Sequence, residues 1–203
     1  MFPNIMKTFL GFFLILAVLR NSVSLICKYC QAKGTTCTEY DLKCKNSNDV
    51  CAAILIENTE KGKPERTLLK KCEDPRMCSM PFQYVNMGKG RYERTSILCC
   101  KEDRCRNPVP RFEPGFIRPN GKQCPTCLAR NSSLCGSDMV DCSGSEHSCI
   151  QIKQTFSEGT TWVTIFKKGC ATRNICFKQG GSYIESFNMP NPKPICNRAR
   201  PKN

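Results

Sequence analysis

Eighteen of the 203 residues are cysteine, and they fall into two series with almost the same spacing. The first is Cys27, Cys30, Cys37, Cys44, Cys51, Cys72, Cys78, Cys99, Cys100 and Cys105, with 2, 6, 6, 6, 20, 5, 20, 0 and 4 residues between neighbours. The second is Cys124, Cys127, Cys135, Cys142, Cys149, Cys170, Cys176 and Cys196, with gaps of 2, 7, 6, 6, 20, 5 and 19. Seven successive gaps agree within one residue, so the chain is a tandem duplication with a period of 97 residues. An even number of cysteines lets every thiol pair, and paired thiols persist in an oxidising compartment. The reduced alternative, structural zinc, has little to build on, because His147 is the single histidine.

An export signal is readable ahead of the repeat. Lys7 precedes the eleven-residue apolar run Phe9–Leu19, and Ser22 and Ser24 are small residues before a cut at Leu25. The run is too short to span a bilayer, which takes about 20 apolar residues. The chain closes on Asn197-Arg198-Ala199-Arg200-Pro201-Lys202-Asn203, without the hydrophobic tail of a lipid-anchor signal. The expectation is a secreted, extracellular protein with no membrane anchor. The formal net charge is +14, or +12 after Lys7 and Arg20 leave with residues 1–24, and both halves are basic. Acidic partners or anionic surfaces are thereby favoured, yet no nucleic-acid module is visible.

The organisation expected is a signal peptide at 1–24, a first domain at 25–107, a proline-rich linker at 108–121 and a second domain at 122–203. Each half is of a size at which core burial alone is marginal. Between Cys51 and Cys72, Ala52-Ala53-Ile54-Leu55-Ile56 and Arg66-Thr67-Leu68-Leu69 flank the polar break Glu60–Pro64, which reads as a hairpin. Ile150–Lys153 and Trp162–Phe166 flank Ser157–Thr160 in the same way. A further hairpin is read from Phe82–Val85 and Tyr92–Leu98 around Asn86–Gly90. After the signal, no sustained helical period occurs. The class is all-β, small and disulfide-rich.

The cysteine order, closing on Cys99-Cys100-Lys101-Glu102-Asp103-Arg104-Cys105, resembles the lymphocyte-antigen-6/urokinase-receptor family of three-finger, snake-toxin-like domains. Spacing alone leaves the pairing open. The resemblance implies Cys27–Cys51, Cys30–Cys37, Cys44–Cys72, Cys78–Cys99 and Cys100–Cys105, then Cys124–Cys149, Cys127–Cys135, Cys142–Cys170 and Cys176–Cys196. Five bridges would staple the first domain and four the second, whose final pair is missing. Closing a loop of about 20 residues contributes roughly 3 kcal/mol in the chain-entropy model, so several together rival the stability of a small domain. Two departures stand out: Arg106 separates Cys105 from Asn107, and the second domain stops at its eighth cysteine. The opening Asn120-Gly121-Lys122-Gln123-Cys124-Pro125-Thr126-Cys127 and the stretch Lys168-Gly169-Cys170-Ala171-Thr172 narrow the resemblance to the gamma-type phospholipase A2 inhibitors of snake serum and their mammalian relatives. The Cys127–Cys135 type of pair sides with the mammalian branch.

Catalytic means are few. His147 lies beside a structural cysteine, and a nucleophile–base site needs an oriented base next to an activated nucleophile. The two Cys-x-x-Cys pairs recur in register with the other cysteines and read as structural. Asp138 and Asp141 do not form a calcium loop. No catalytic residue, metal or cofactor is expected. Asn131-Ser132-Ser133 is a glycosylation acceptor in the mature chain. Candidate partner contacts at finger tips are Lys61, Lys63, Met87, Lys89 and Arg91, with Trp162 and Phe166 in the second half.

The resemblance implies a non-enzymatic binding protein that inhibits a secreted phospholipase A2 by protein–protein occlusion. Two alternatives are a soluble urokinase-receptor-like ligand of a cell-surface receptor or extracellular protease system, and a basic membrane-active protein. The snake relatives form non-covalent oligomers, so a homo-oligomer is compatible with the reading.

Overall fold

The computed structural model describes residues 24–59, 62–102, 108–112, 118–132, 134–176 and 194–202. The expected export signal, Lys61, Cys105, Phe116, Ile117 and most of the stretch between Cys176 and Cys196 lie outside the described residues.

In the first half, strand β1 (Ile26–Lys33) runs antiparallel to β2 (Tyr40–Lys43) and to β4 (Glu65–Glu73). β4 pairs with β3 (Val50–Asn58), β3 with β6 (Tyr92–Cys100), and β6 with β5 (Phe82–Asn86). β3 is the centre of this half because its apolar, β-branched run suits a strand paired on both sides. Every residue from Val50 to Glu57 is buried. Alternation sends Ala52, Ile54 and Ile56 to one face, where they pack on Ile97 and on Met77 and Met80 around the 3-10 helix Pro75–Ser79. Leu55 and Glu57 point to the other face.

In the second half, β7 (Pro119–Pro125) pairs with β9 (Met139–Ser143). The long hairpin of β10 (Glu146–Glu158) and β11 (Thr161–Thr172) is edged by β8 (Cys127–Arg130) on β11 and by β12 (Ile195–Arg198) on β10. A last short strand, β13 (Arg200–Pro201), closes onto β7.

The disulfides among the described residues are Cys27–Cys51, Cys30–Cys37, Cys44–Cys72 and Cys78–Cys99 in the first half. In the second half they are Cys124–Cys149, Cys127–Cys135, Cys142–Cys170 and Cys176–Cys196. Cys100 is disulfide-bonded as well. The bridges concentrate at the base of each half, where Cys27, Cys44 and Cys51 pack together, as do Cys124, Cys142 and Cys170 with Ala199. Each base therefore has a sulfur core where a larger domain would place aliphatic side chains. The fold is all-β, with two three-finger units.

The halves are not separate beads. β5 of the first half pairs with β11 of the second, Val85 opposite Ala171 and Asn86 opposite Cys170, so one sheet runs through both. The approach is close: a Cβ on Gly169 would lie 1.9 Å from the Asn86 carbonyl oxygen. Only glycine admits the third hairpin of the first half at this point.

Candidate partner-binding surface

The third hairpin's tip is taken up by the junction between the halves. Met87, a candidate contact from the sequence, is 0% exposed and packs with Val85, Ile150, Ile152, Ala171 and Ile175. Its carbonyl accepts a hydrogen bond from the Thr126 hydroxyl. Lys89 pairs with Asp138 at 2.8 Å across the same junction. Arg91 turns its Nε back to the Gly88 carbonyl at 3.3 Å. Met87 thus belongs to the internal seam, whereas Lys89 reaches across it with a side chain 72% exposed and Arg91 bonds within its own turn. The burial of Met87 corrects its assignment to a free finger tip.

Of the remaining candidates, Lys63 is exposed beside the β3–β4 turn. Trp162 is 71% exposed next to the β10–β11 turn. Phe166 is half-buried, with the Lys153 ammonium 5.5 Å from its ring centre. Lys63 and Trp162 sit on hairpins of different halves, so the structure does not gather the tip residues into one site.

A concave surface does exist elsewhere. An open groove of about 790 Å³ is lined by Thr35, Thr36, Leu55, Arg66, Arg94 and residues 108–112. Its floor is the second face of the β4–β3–β6 sheet. Pairing register places Arg66 and Arg94 on either side of Glu57, one on each neighbouring strand. Arg66 Nε donates to Glu57 Oε2 at 2.7 Å, and Arg94 Nε and Tyr92 Oη each donate to Oε1 at 2.8 Å. Glu57 is 1% exposed. Burial works against its charge, but the bonds from Arg66, Tyr92 and Arg94 outweigh it and hold the carboxyl below its ordinary range. One buried carboxylate thereby orients two guanidiniums.

The segment 108–112 forms the groove's far wall, and it is fixed there. The Ser96 hydroxyl donates to the Arg111 carbonyl at 2.8 Å. Pro110 is fully buried, and the Arg94 guanidinium lies 4.2 Å from the centre of the Phe112 ring. The first stretch of the proline-rich connector is thus part of the first half's surface.

Sequence reasoning did not single out Glu57, Arg66 or Arg94. The signal was there: Glu57 follows the apolar run Ala52–Ile56 in phase with Leu55, and a carboxylate buried at that position needs a cationic partner on an adjoining strand.

The groups considered for chemistry are otherwise engaged. Asp138 pairs with Lys89 and Asp141 with Lys202. His147 Nδ1 lies 3.0 Å from Lys122 Nζ, with no nucleophile joined to it among the described residues. The close sulfurs of Cys27, Cys44 and Cys72, and of Cys124, Cys142 and Cys170, belong to disulfides and offer no thiolate for a metal.

Asn131 has φ +54°, and its backbone N–H donates to the Thr164 carbonyl while its Oδ1 accepts from the Thr164 N–H. The side chain is therefore held at the edge of β11 on an exposed residue.

Two tandem three-finger units, each stapled by disulfides, define the class of fold. Residues 25–107 match the phospholipase A2 inhibitor family and residues 120–199 the u-PAR/Ly-6 domain. A gamma-type phospholipase A2 inhibitor of Elaphe climacophora is 31% identical over 154 residues, 74% of this chain and 75% of that one. The inhibitor CNF of Crotalus durissus terrificus is 27% identical over 168 residues, 78% and 83% of the two chains. The inhibitor NAI of Notechis ater is 28% identical over 173 residues, 84% and 86%. The crystal structure of mouse TEX101 aligns with a TM-score of 0.35 at 20% identity, over 85% of this chain and 98% of that one. The chain belongs to the phospholipase A2 inhibitor family of u-PAR/Ly-6 proteins.

Proposed function

We propose that the chain is an exported, non-enzymatic inhibitor of a secreted phospholipase A2, acting by covering the enzyme's active-site face. The observation that carries this reading is the relationship to named phospholipase A2 inhibitors over about three quarters of both chains. Its chemistry fits: the cysteines are committed to bridges and the rigid sheet offers a groove and exposed hairpins for contact. Binding would be non-covalent, and its strength would rest on a few central contacts rather than on total area. The apolar leader at residues 9–19 supports export of the oxidised chain. The test is a panel of secreted phospholipases A2 assayed with the oxidised protein at micromolar concentration. The reading requires slowed hydrolysis and a co-eluting complex for at least one enzyme. A panel that is neither bound nor slowed refutes it.

A further inference from the structure

We infer that the groove of Arg66, Arg94 and Arg111 is a subsite for an acidic, extended segment of a protein partner, read through that segment's carboxylate. As regards the partner's identity this rests on the inhibitor reading; the site itself rests on geometry. Three features carry it.

The first is preorganisation. Arg66 and Arg94 stand in register on opposite sides of Glu57, and the buried carboxylate fixes both. Arg66 meets Glu57 through Nε. Its side chain is 48% exposed, so the guanidinium's terminal N–H groups face the groove and solvent. A guanidinium held by one edge and open at the other suits bidentate capture of an incoming carboxylate. The ordering cost of a long arginine side chain is already met in the free protein.

The second is charge. Three guanidiniums and no carboxylate are among the described residues that line the groove, and Glu57 pairs with two of the three, Arg66 and Arg94. Among the described residues an excess of two positive charges remains, with Arg111 exposed at the rim. An apolar occupant would leave this excess uncompensated, whereas an acidic one neutralises it.

The third is shape. At about 790 Å³ the groove is far larger than a phosphate or sulfate ion, and Leu55, Pro108, Val109 and Pro110 give it apolar walls. Thr35 and Thr36 supply hydroxyls at the opposite lip. Apolar walls, hydroxyls and paired guanidiniums together match a peptide that alternates apolar and acidic side chains.

The experiment uses the intact oxidised chain and two fluorescein-labelled probes, three repeats of Leu-Glu-Pro and three of Leu-Gln-Pro, with binding read by anisotropy. The glutamate probe should bind saturably in the micromolar range and the glutamine probe at least tenfold more weakly. Arg66→Gln should weaken the glutamate complex about tenfold, and Arg66→Lys nearly as much, because an ammonium lacks the fork. Arg111→Gln, which leaves the sheet untouched, should cost about threefold, and Lys45→Gln outside the groove should cost nothing. Equal binding of both probes, an unchanged complex in both Arg66→Gln and Arg111→Gln, or an equal loss in Lys45→Gln overturns the proposal. So does complete displacement by inorganic phosphate at a few millimolar, which would mark a simple anion site. The two readings fail separately. A chain that binds the glutamate probe but inhibits no secreted phospholipase A2 keeps the groove and loses the function. One that inhibits fully without binding the probe does the reverse.

Discussion

Glu93 and Lys167, 74 positions apart, form a 3.2 Å ion pair whose side chains are 2% and 3% exposed. One comes from β6 of the first half and the other from β11 of the second. Around it, the Tyr84 N–H donates to Thr172 Oγ1 at 3.1 Å and Asn174 Nδ2 donates to the Phe82 carbonyl at 2.5 Å. The junction is thus built like a domain interior, with an apolar cluster, ladder bonds and a desolvated charge pair. It should hold the halves in one orientation and present their outer surfaces as a unit.

Breaking this pair from one side should be costly. Lys167→Met leaves the Glu93 carboxylate buried without its cation, and a loss of roughly 3–5 kcal/mol is expected. The double replacement Glu93→Gln with Lys167→Met should recover most of that loss. Chemical denaturation of the single and double variants, with disulfides intact, measures the coupling.

Gly169→Ala should act on the same junction through the backbone. Its Cβ would meet the Asn86 carbonyl at 1.9 Å, so β5 must move away from β11. A destabilisation of about 1–3 kcal/mol is expected for such overpacking. Amide exchange should speed up at the ladder positions around Val85 and Ala171, while the β3–β4 ladder keeps its protection. Uniform exchange across the chain would contradict a local junction effect.

Acidity should tune the junction. Burial raises the Glu146 carboxyl to about 7, against the opposing bonds from the Ser143 N–H and Asn86 Nδ2. A raised value means that the folded state holds the proton more tightly than the unfolded one. This contribution is complete below about pH 4.5 and is lost as pH rises through about 7, a change on the order of 3 kcal/mol. Urea midpoints at pH 5 and pH 8 should therefore differ, and Glu146→Gln should shrink the difference.

Asn131 should carry an N-glycan. Glycosidase should shift the mobility of exported protein, and both Asn131→Gln and Ser133→Ala should abolish the shift. The two variants separate modification from structure, because only Asn131→Gln also removes the Oδ1 acceptor that anchors Thr164. A loss of about 1 kcal/mol is expected for that bond, over and above any effect of the missing glycan.

The cysteine repeat and the alternating runs made the hairpins legible: β3, β4, β10 and β11 fall where apolar runs and turn residues put them. The junction was not legible. Met87 read as a finger-tip contact and Gly169 only as part of the stretch that carries the resemblance, and nothing local tells that Asn86 lies against Gly169. Pairing between β5 and β11 is a contact across more than 80 positions, set by shape and not by period. The groove was half legible. The prolines marked residues 108–121 as a linker, but its seating on Ser96 and Arg94 depends on which sheet face is left uncovered. Glu57 carried the clearest unused signal, a charge in the buried phase of β3.

The most direct test of the inhibitor account is a titration of one susceptible secreted phospholipase A2, at fixed enzyme concentration, with the oxidised protein. Occlusion predicts that activity falls in proportion to added protein until a fixed molar ratio is reached, and returns when the complex is dissociated. Undiminished hydrolysis at a large molar excess, with no complex formed, would contradict the account.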